Sequence, residues 1–261
     1  MSRIIAVANQ KGGVGKTTTS INLSASLAMA EHPVLLVDLD PQANATSGVG
    51  LGTENSSASL YDCLLRGIPA KEAIRSTLVS HLSVLPSNQD LAGAEIELVP
   101  LDERESALKR VFDGLRHDFD YIIIDCPPAL GLLTINALVA ASSVLVPVQC
   151  EYYAMEGLGR LMSNIARVQG SLNQDLELEG ILLTMYDSRN SLSRQVAEEI
   201  RSHFKDKVYQ SVIPRNVALA EAPSYGRPIL LYNAASTGCQ AYVELAKELL
   251  SHGEKSAGKR A

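Results

Sequence analysis

Ile4-Ile5-Ala6-Val7-Ala8-Asn9-Gln10-Lys11-Gly12-Gly13-Val14-Gly15-Lys16-Thr17-Thr18 decides the fold. An apolar run, Ile4–Asn9, reads as a buried strand. A helix pattern opens at Thr17 and runs to Ala30, with Ile21, Leu23, Leu27 and Ala28 as its apolar positions. Between them lies a glycine-rich turn ending in Gly-Lys-Thr. Strand, glycine loop and helix in that order form a phosphate-binding loop. Gly12, Gly13 and Gly15 let backbone N–H groups of Lys11–Thr18 wrap an anion, with Val14 between them. The helix N-terminus adds partial positive charge. Lys16 would reach the outer phosphates, and the Thr17 hydroxyl would hold Mg²⁺. The plain alternative is a glycine turn that merely starts a helix. The loop departs from G-x-x-x-x-G-K-[ST], since Gln10 stands where a glycine is expected. A second cation, Lys11, sits five residues before Lys16. It reads either as a solvated lysine or as one that meets phosphate, including that of a neighbouring subunit.

Outward from the loop, apolar runs alternate with helical patterns. Val34–Asp38, Leu82–Leu85, Tyr121–Asp125, Val144–Val148, Leu178–Thr184 and Val208–Ile213 read as strands. Helices are expected over Leu91–Val99, Leu101–Arg116, Leu132–Ala141, Leu158–Val168, Ser193–Phe204 and Gln240–Leu250. Strands that are apolar throughout belong to a sheet covered on both faces. The expected fold is α/β: a single P-loop NTPase domain, with a mostly parallel twisted sheet and helices on both faces. Residues 1–252 would form that domain, and 253–261 a polar, disordered tail.

Ligands of such sheets bind at the carboxyl ends of strands, and three carboxylates fall there. Asp125 ends Tyr121–Ile124 and could hold Mg²⁺ through water. Asp38 and Asp40 end the Val34–Val37 strand, close to the loop if the strands are neighbours. Asp40 is a candidate for catalysis. Asp38 is open between supporting the metal and helping the water. All three also suit turn or cap roles. Phosphoryl transfer to water needs positioned charge more than covalent chemistry, so one carboxylate with Lys11 and Lys16 suffices in principle.

Composition narrows the classes. The chain has 261 residues, 46% of them hydrophobic, enough for one sizeable core. The start shows no secretory pattern, and no apolar run reaches the ~18 residues of a spanning helix. A soluble protein of the cell interior is expected, with no membrane partner. Cys63, Cys126, Cys150 and Cys239 lack any CxxC pairing and read as free thiols in a reducing compartment. The formal net charge is −6. It divides unevenly, with net −9 over 1–184 and net +3 over 185–261. That asymmetry points to a polyanion-facing side or to nothing more than a solvated half.

The phosphate loop, Leu36-Val37-Asp38-Leu39-Asp40-Pro41-Gln42 and Ile124-Asp125-Cys126-Pro127-Pro128 together resemble the deviant Walker A, A′ and B segments of ParA/Soj ATPases. Those elements alone indicate the wider group with MinD and the nitrogenase iron protein. Asn44–Ser47, Leu91–Glu95, Pro147–Tyr153, Val212–Asn216 and Leu219–Ser224 narrow the resemblance to chromosome-type ParA. It implies an ATP-dependent homodimer with two sandwiched ATPs, Mg²⁺, and Lys11 reaching the partner's nucleotide. It implies Asp40 at the attacking water, and Pro214 and Asn216 at the adenine. It implies non-specific DNA binding, release by ParB-stimulated hydrolysis, and a cytoplasmic, nucleoid-associated protein. Arg189, in Thr184-Met185-Tyr186-Asp187-Ser188-Arg189, matches a basic position of the family's DNA face, and Arg215 is a second candidate. Where the family commonly has an arginine, this chain has Ala218.

Two alternatives use the same fold: an ATPase that positions a protein cargo, and a MinD-like membrane-cycling ATPase. The second needs a terminal amphipathic helix, and Ser251–Ala261 has no large apolar residue. An iron–sulfur protein would need clustered thiolates.

Overall fold

The computed structural model describes residues 2–52 and 58–257, with side chains as far as residue 253. Eight strands form one sheet: β1 (Arg3–Val7), β2 (Val34–Asp38), β3 (Arg75–Ser76), β4 (Leu82–Leu85), β5 (Tyr121–Asp125), β6 (Ser143–Gln149), β7 (Glu177–Tyr186) and β8 (Val208–Pro214). Their order is β3-β4-β2-β5-β1-β6-β7-β8. Every pair is parallel except β3 with β4.

Successive residues of a strand face opposite sides, and both sides are dry. Ile4, Ala6, Leu35, Val37, Ile122 and Ile124 join one core layer. Ile5, Val7, Val34, Leu36, Tyr121 and Ile123 join the other. The unbroken apolar runs follow from that double burial. Helices Lys16–Met29 and Thr237–Ala257 pack together over the second layer. Helix Ala154–Ser171 contributes Leu158, Leu161, Ile165 and Val168 to the first layer, at helical spacing. Helix Ser191–Phe204 does the same with Val196, Ala197 and Ile200.

Register places the site. Val7 pairs with Asp125, and Asp125 pairs with Asp38. Three loops therefore leave the sheet at one level, side by side.

Three expectations need correction. The helix expected over Leu101–Arg116 is a 3₁₀ turn at Arg104–Ser106 followed by a short helix, Ala107–Phe112. Leu101 faces solvent, so it was never part of a buried stripe. The last helix runs from Thr237 to Ala257, beyond the point where the tail was expected to begin. At Gly253 a Cβ would lie 3.1 Å from Arg3 Nη1, so the helix passes close to β1 there. The rest of that expected tail, 258–261, lies outside the described residues. The short helices Asn44–Gly48 and Leu60–Leu65 were not expected at all.

Candidate active site

The phosphate loop joins β1 to helix Lys16–Met29. Asn9 ties it to the sheet, donating from Nδ2 to the Pro147 carbonyl at 2.7 Å. Its Oδ1 accepts from the Lys11 N–H at 3.0 Å. Thr184 Oγ1 donates to the Val14 carbonyl at 2.8 Å and closes the other side. Gly13 and Gly15 have φ of 72° and 88°, a region that side chains with a Cβ avoid. Lys16 is buried, and its Nζ donates to the Lys11 carbonyl at 3.2 Å. Burial lowers the Lys16 pKa, while the charges of Asp125, Cys126 and Asp40 work the other way. Thr17 and Thr18 occupy the first helical turn, where N–H groups have no helical acceptor.

Lys11 does not join Lys16. Its Nζ points out to Glu151 Oε2 at 2.6 Å, with both groups near half exposed. Gln149 Nε2 holds the other Glu151 oxygen at 2.5 Å. Tyr152 and Tyr153 follow, both exposed, in edge-to-face contact.

The carboxylates have different surroundings. Asp38 is fully buried: Oδ2 accepts from the Thr46 N–H and hydroxyl, each at 2.7 Å, and Oδ1 from the Asp40 N–H at 3.2 Å. Asp40 is nearly buried, its Oδ1 accepting from the Gln42 N–H at 2.9 Å. Ser87 Oγ donates to the Asp40 carbonyl at 2.8 Å. Asp125 is fully buried; Ser20 Oγ donates to its Oδ1 at 2.9 Å, while Oδ2 has no hydrogen-bond partner. An orphaned carboxylate oxygen facing a phosphate loop fits a hydrated Mg²⁺. Among the described residues no group of three His, Cys, Asp or Glu side chains is arranged to hold a metal. The four cysteines are buried and unpaired, in no cluster.

Burial raises the pKa of Asp38, against hydrogen bonds from Thr46 and Asp40. Burial and then the Asp38 charge raise that of Asp125, against the hydroxyls of Thr17 and Ser20. A carboxyl with a raised folded pKa binds its proton more tightly folded than unfolded. Its contribution is intact below about pH 4 and is lost as pH rises through the folded value. Asp125→Asn should therefore raise the melting temperature of the nucleotide-free, Mg²⁺-free protein at pH 8 by several degrees and flatten its fall above pH 5. A lower melting temperature at pH 8, by calorimetry, would contradict this.

A cleft of roughly 190 Å³ continues from the loop, lined by Gly15, Thr18, Met185, Pro214, Asn216 and Leu219, among others. It brings Pro214 and Asn216 beside the phosphate loop. Asn216 is also the N-cap of helix Val217–Glu221, its Oδ1 accepting from the Leu219 N–H at 3.2 Å. Its Nδ2 donates to Thr237 Oγ1 at 3.0 Å. Arg215 borders the same cleft and lies exposed. The Arg189 side chain is 90% exposed, and its guanidinium donates twice to Asp187, each at 3.0 Å. Because Tyr186 pairs with Pro214, the Arg189 loop and Arg215 leave the sheet together.

Sequence reasoning assigned no role to Asn9, Ser20, Thr46, Ser87, Glu151 or Thr184. Ser20 carried a signal, lying one helical turn after Lys16. Asn9 stands at the entry of the loop itself, while Thr46, Ser87, Glu151 and Thr184 reach the site from distant segments, and sequence spacing does not show what they bond.

An AAA domain family model matches residues 2–178. Sporulation initiation inhibitor protein Soj of Bacillus subtilis is 55% identical over 253 residues, 97% of this chain and 100% of Soj. Chromosome partitioning protein ParA of Myxococcus xanthus is 52% identical over 260 residues, 100% of this chain and 92% of that ParA. The chain belongs to the ParA/Soj family. As a member it is a P-loop ATPase. Among solved structures, cobyrinic acid a,c-diamide synthase from Mycobacterium smegmatis, with bound ATP analog and magnesium, superposes with a TM-score of 0.86. It is 41% identical, over 98% of this chain and 97% of that one. Cell division ATPase MinD of Pyrococcus furiosus superposes with a TM-score of 0.80 at 28% identity, over 96% of this chain and 99% of MinD. The ParA/Soj chain thus shares its architecture with a nucleotide-bound synthase structure and with an ATPase.

Proposed function

We propose that this ParA/Soj-family ATPase segregates DNA. Its ATP-bound homodimer would bind DNA without sequence preference, and hydrolysis stimulated by a ParB-type partner would release it. The observation that carries this reading is the separation of the two lysines. Lys16 sits in the phosphate cradle, while Lys11 stands at its rim beside Glu151. A cation outside its own cradle is positioned for the nucleotide of a second subunit. Exposed Tyr152 and Tyr153 beside it suit an interface, where aromatic residues are enriched.

ATP and Mg²⁺ are the substrate and cofactor. Gly12–Thr18 would hold the phosphates, and Thr17 and Asp125 would hold Mg²⁺, which neutralises phosphate charge when bound. Asp40 orients the attacking water and takes its proton. Asp38, both oxygens engaged by Thr46 and Asp40, positions the Asp40 loop rather than the metal. Pro214 and Asn216 border the base. The protein would work in the cytoplasm, on the nucleoid, with an ATPase unit that includes helix Thr237–Ala257. Among the described residues no helix is long and apolar enough to cross a membrane.

DNA would lie over Arg189 and Arg215. Asp187 offsets part of their charge, so a single subunit binds weakly and the dimer binds by avidity. Arg189→Glu removes two phosphate contacts per dimer, so its salt slope should be shallower by about 2, and Ala218→Arg steeper by about 2. DNA retention over a salt series, with ATP, tests this. Undiminished retention by an Arg189→Glu dimer would place the DNA face elsewhere.

A further inference from the structure

A loop that binds an anion must turn its carbonyls away as well as offer its N–H groups, since a carbonyl oxygen repels phosphate. From Gly15 onward the helix disposes of them. The Gly15 carbonyl accepts from the Thr19 N–H at 2.9 Å, and the Lys16 carbonyl from Ser20 Oγ at 3.0 Å. Val14 precedes that helix, which starts at Lys16. Its carbonyl is taken instead by Thr184, whose Oγ1 donates to it at 2.8 Å across 170 positions of sequence. Both residues are buried.

Strand alternation puts Thr184 there. Leu182 belongs to the core layer beneath helix Lys16–Met29, and Leu183 to the opposite layer. Thr184 therefore faces the helix side again, at the carboxyl end of β7. The next residue, Met185, has φ of 49°, a region that residues with a Cβ seldom adopt. The register with β8 shifts between Leu183 and Tyr186. The strand is thus held in an unfavourable conformation where it meets the loop, as at sites whose geometry the fold over-determines.

A trans peptide is planar, and its C=O and N–H point opposite ways. With the Val14 carbonyl held toward β7, the Gly15 N–H points away from β7. It has no acceptor among the described residues. Glycine tolerates either sign of φ, so Gly15 would let this peptide stand the other way round, carbonyl and N–H exchanged. We infer that Thr184 is a positioning residue for the ATPase: by holding the Val14 carbonyl it turns the Gly15 N–H toward the nucleotide phosphates. Thr184 itself touches no phosphate. Without its hydroxyl the buried carbonyl loses its donor. Turning the peptide over relieves that loss and presents an acceptor to the anion. The role rests on the nucleotide reading of the loop.

Two substitutions separate hydroxyl from shape. Thr184→Val keeps the volume and loses the donor, while Thr184→Ser keeps the donor. In titration calorimetry with ADP and Mg²⁺, Thr184→Val should bind at least about tenfold weaker, the factor for one hydrogen bond to a charged group. Thr184→Ser should bind as wild type does. A second readout needs no nucleotide. The chain has two Val-Gly pairs, Val14-Gly15 and Val49-Gly50. Carbonyl-labelled valine with nitrogen-labelled glycine therefore gives two amide signals in a carbonyl-filtered NMR spectrum. In nucleotide-free Thr184→Val the Gly15 signal should move and the Gly50 signal stay, and in Thr184→Ser both should stay. ADP should shift the Gly15 amide proton downfield in wild type and Thr184→Ser, but not in Thr184→Val. Wild-type ADP affinity in Thr184→Val, or failure of Thr184→Ser to restore it, would overturn the role. A Gly15 amide proton unmoved in ADP-bound wild type would overturn it without any variant. Wild-type protein that binds no ADP would overturn the nucleotide reading and this role with it.

Discussion

Asp40→Ala is expected to keep ATP bound and to lower turnover about 100-fold or more, the range for losing a general base. The backbone explains why the change stays local. Asp38 receives the Asp40 N–H, and Ser87 donates to the Asp40 carbonyl, so the loop is held without the Asp40 side chain. That side chain makes one bond, from the Gln42 N–H to Oδ1. Removing it removes no donor to phosphate. Asp40→Asn separates charge from shape, because the amide oxygen can still accept from Gln42 but cannot take a proton. It should fail almost as badly as alanine. Single-turnover hydrolysis beside nucleotide affinity checks both, and near-normal turnover in either variant would remove Asp40 from the chemistry.

Lys16→Ala is expected to weaken ATP binding about 100-fold. Hydrogen bonds to charged groups contribute roughly 1.5–3 kcal/mol each, and two such bonds to phosphate give that factor. Lys16 is buried with one backbone acceptor, so its charge is poorly matched until an anion arrives. Lys11 cannot substitute, being held at Glu151 on the rim. Titration calorimetry with ATP and Mg²⁺ reads the loss directly. An unchanged Kd would mean that the loop does not bind phosphate through Lys16.

The elements that carry the site were legible because their burial is extreme. β1, β2 and β5 are dry on both faces, and their apolar runs admit no other reading once a Gly-Lys-Thr loop follows the first. Which strands are neighbours was not legible. Asp38 and Asp125 stand 87 positions apart in sequence and share a register only because β5 inserts between β1 and β2. The two-residue strand β3 is too short to show a period. Helix Leu60–Leu65 did leave a local sign, the capping box of Ser59 with Asp62. Leu101 misled because an exposed leucine looks like a core position when only spacing is read. At the site, the odd placement of Lys11 was visible, but its counter-ion was not. Glu151 comes from the far end of β6 and meets Lys11 only in the folded sheet.

The central claim is a nucleotide-driven dimer completed in trans by Lys11. Sedimentation of Asp40→Ala, which holds ATP without consuming it, isolates that step. With ATP and Mg²⁺ it should run as a dimer, and with ADP as a monomer. Adding Lys11→Ala should return the ATP form to monomer while nucleotide affinity in the monomer is kept. A stable ATP-dependent dimer lacking Lys11 would contradict the account.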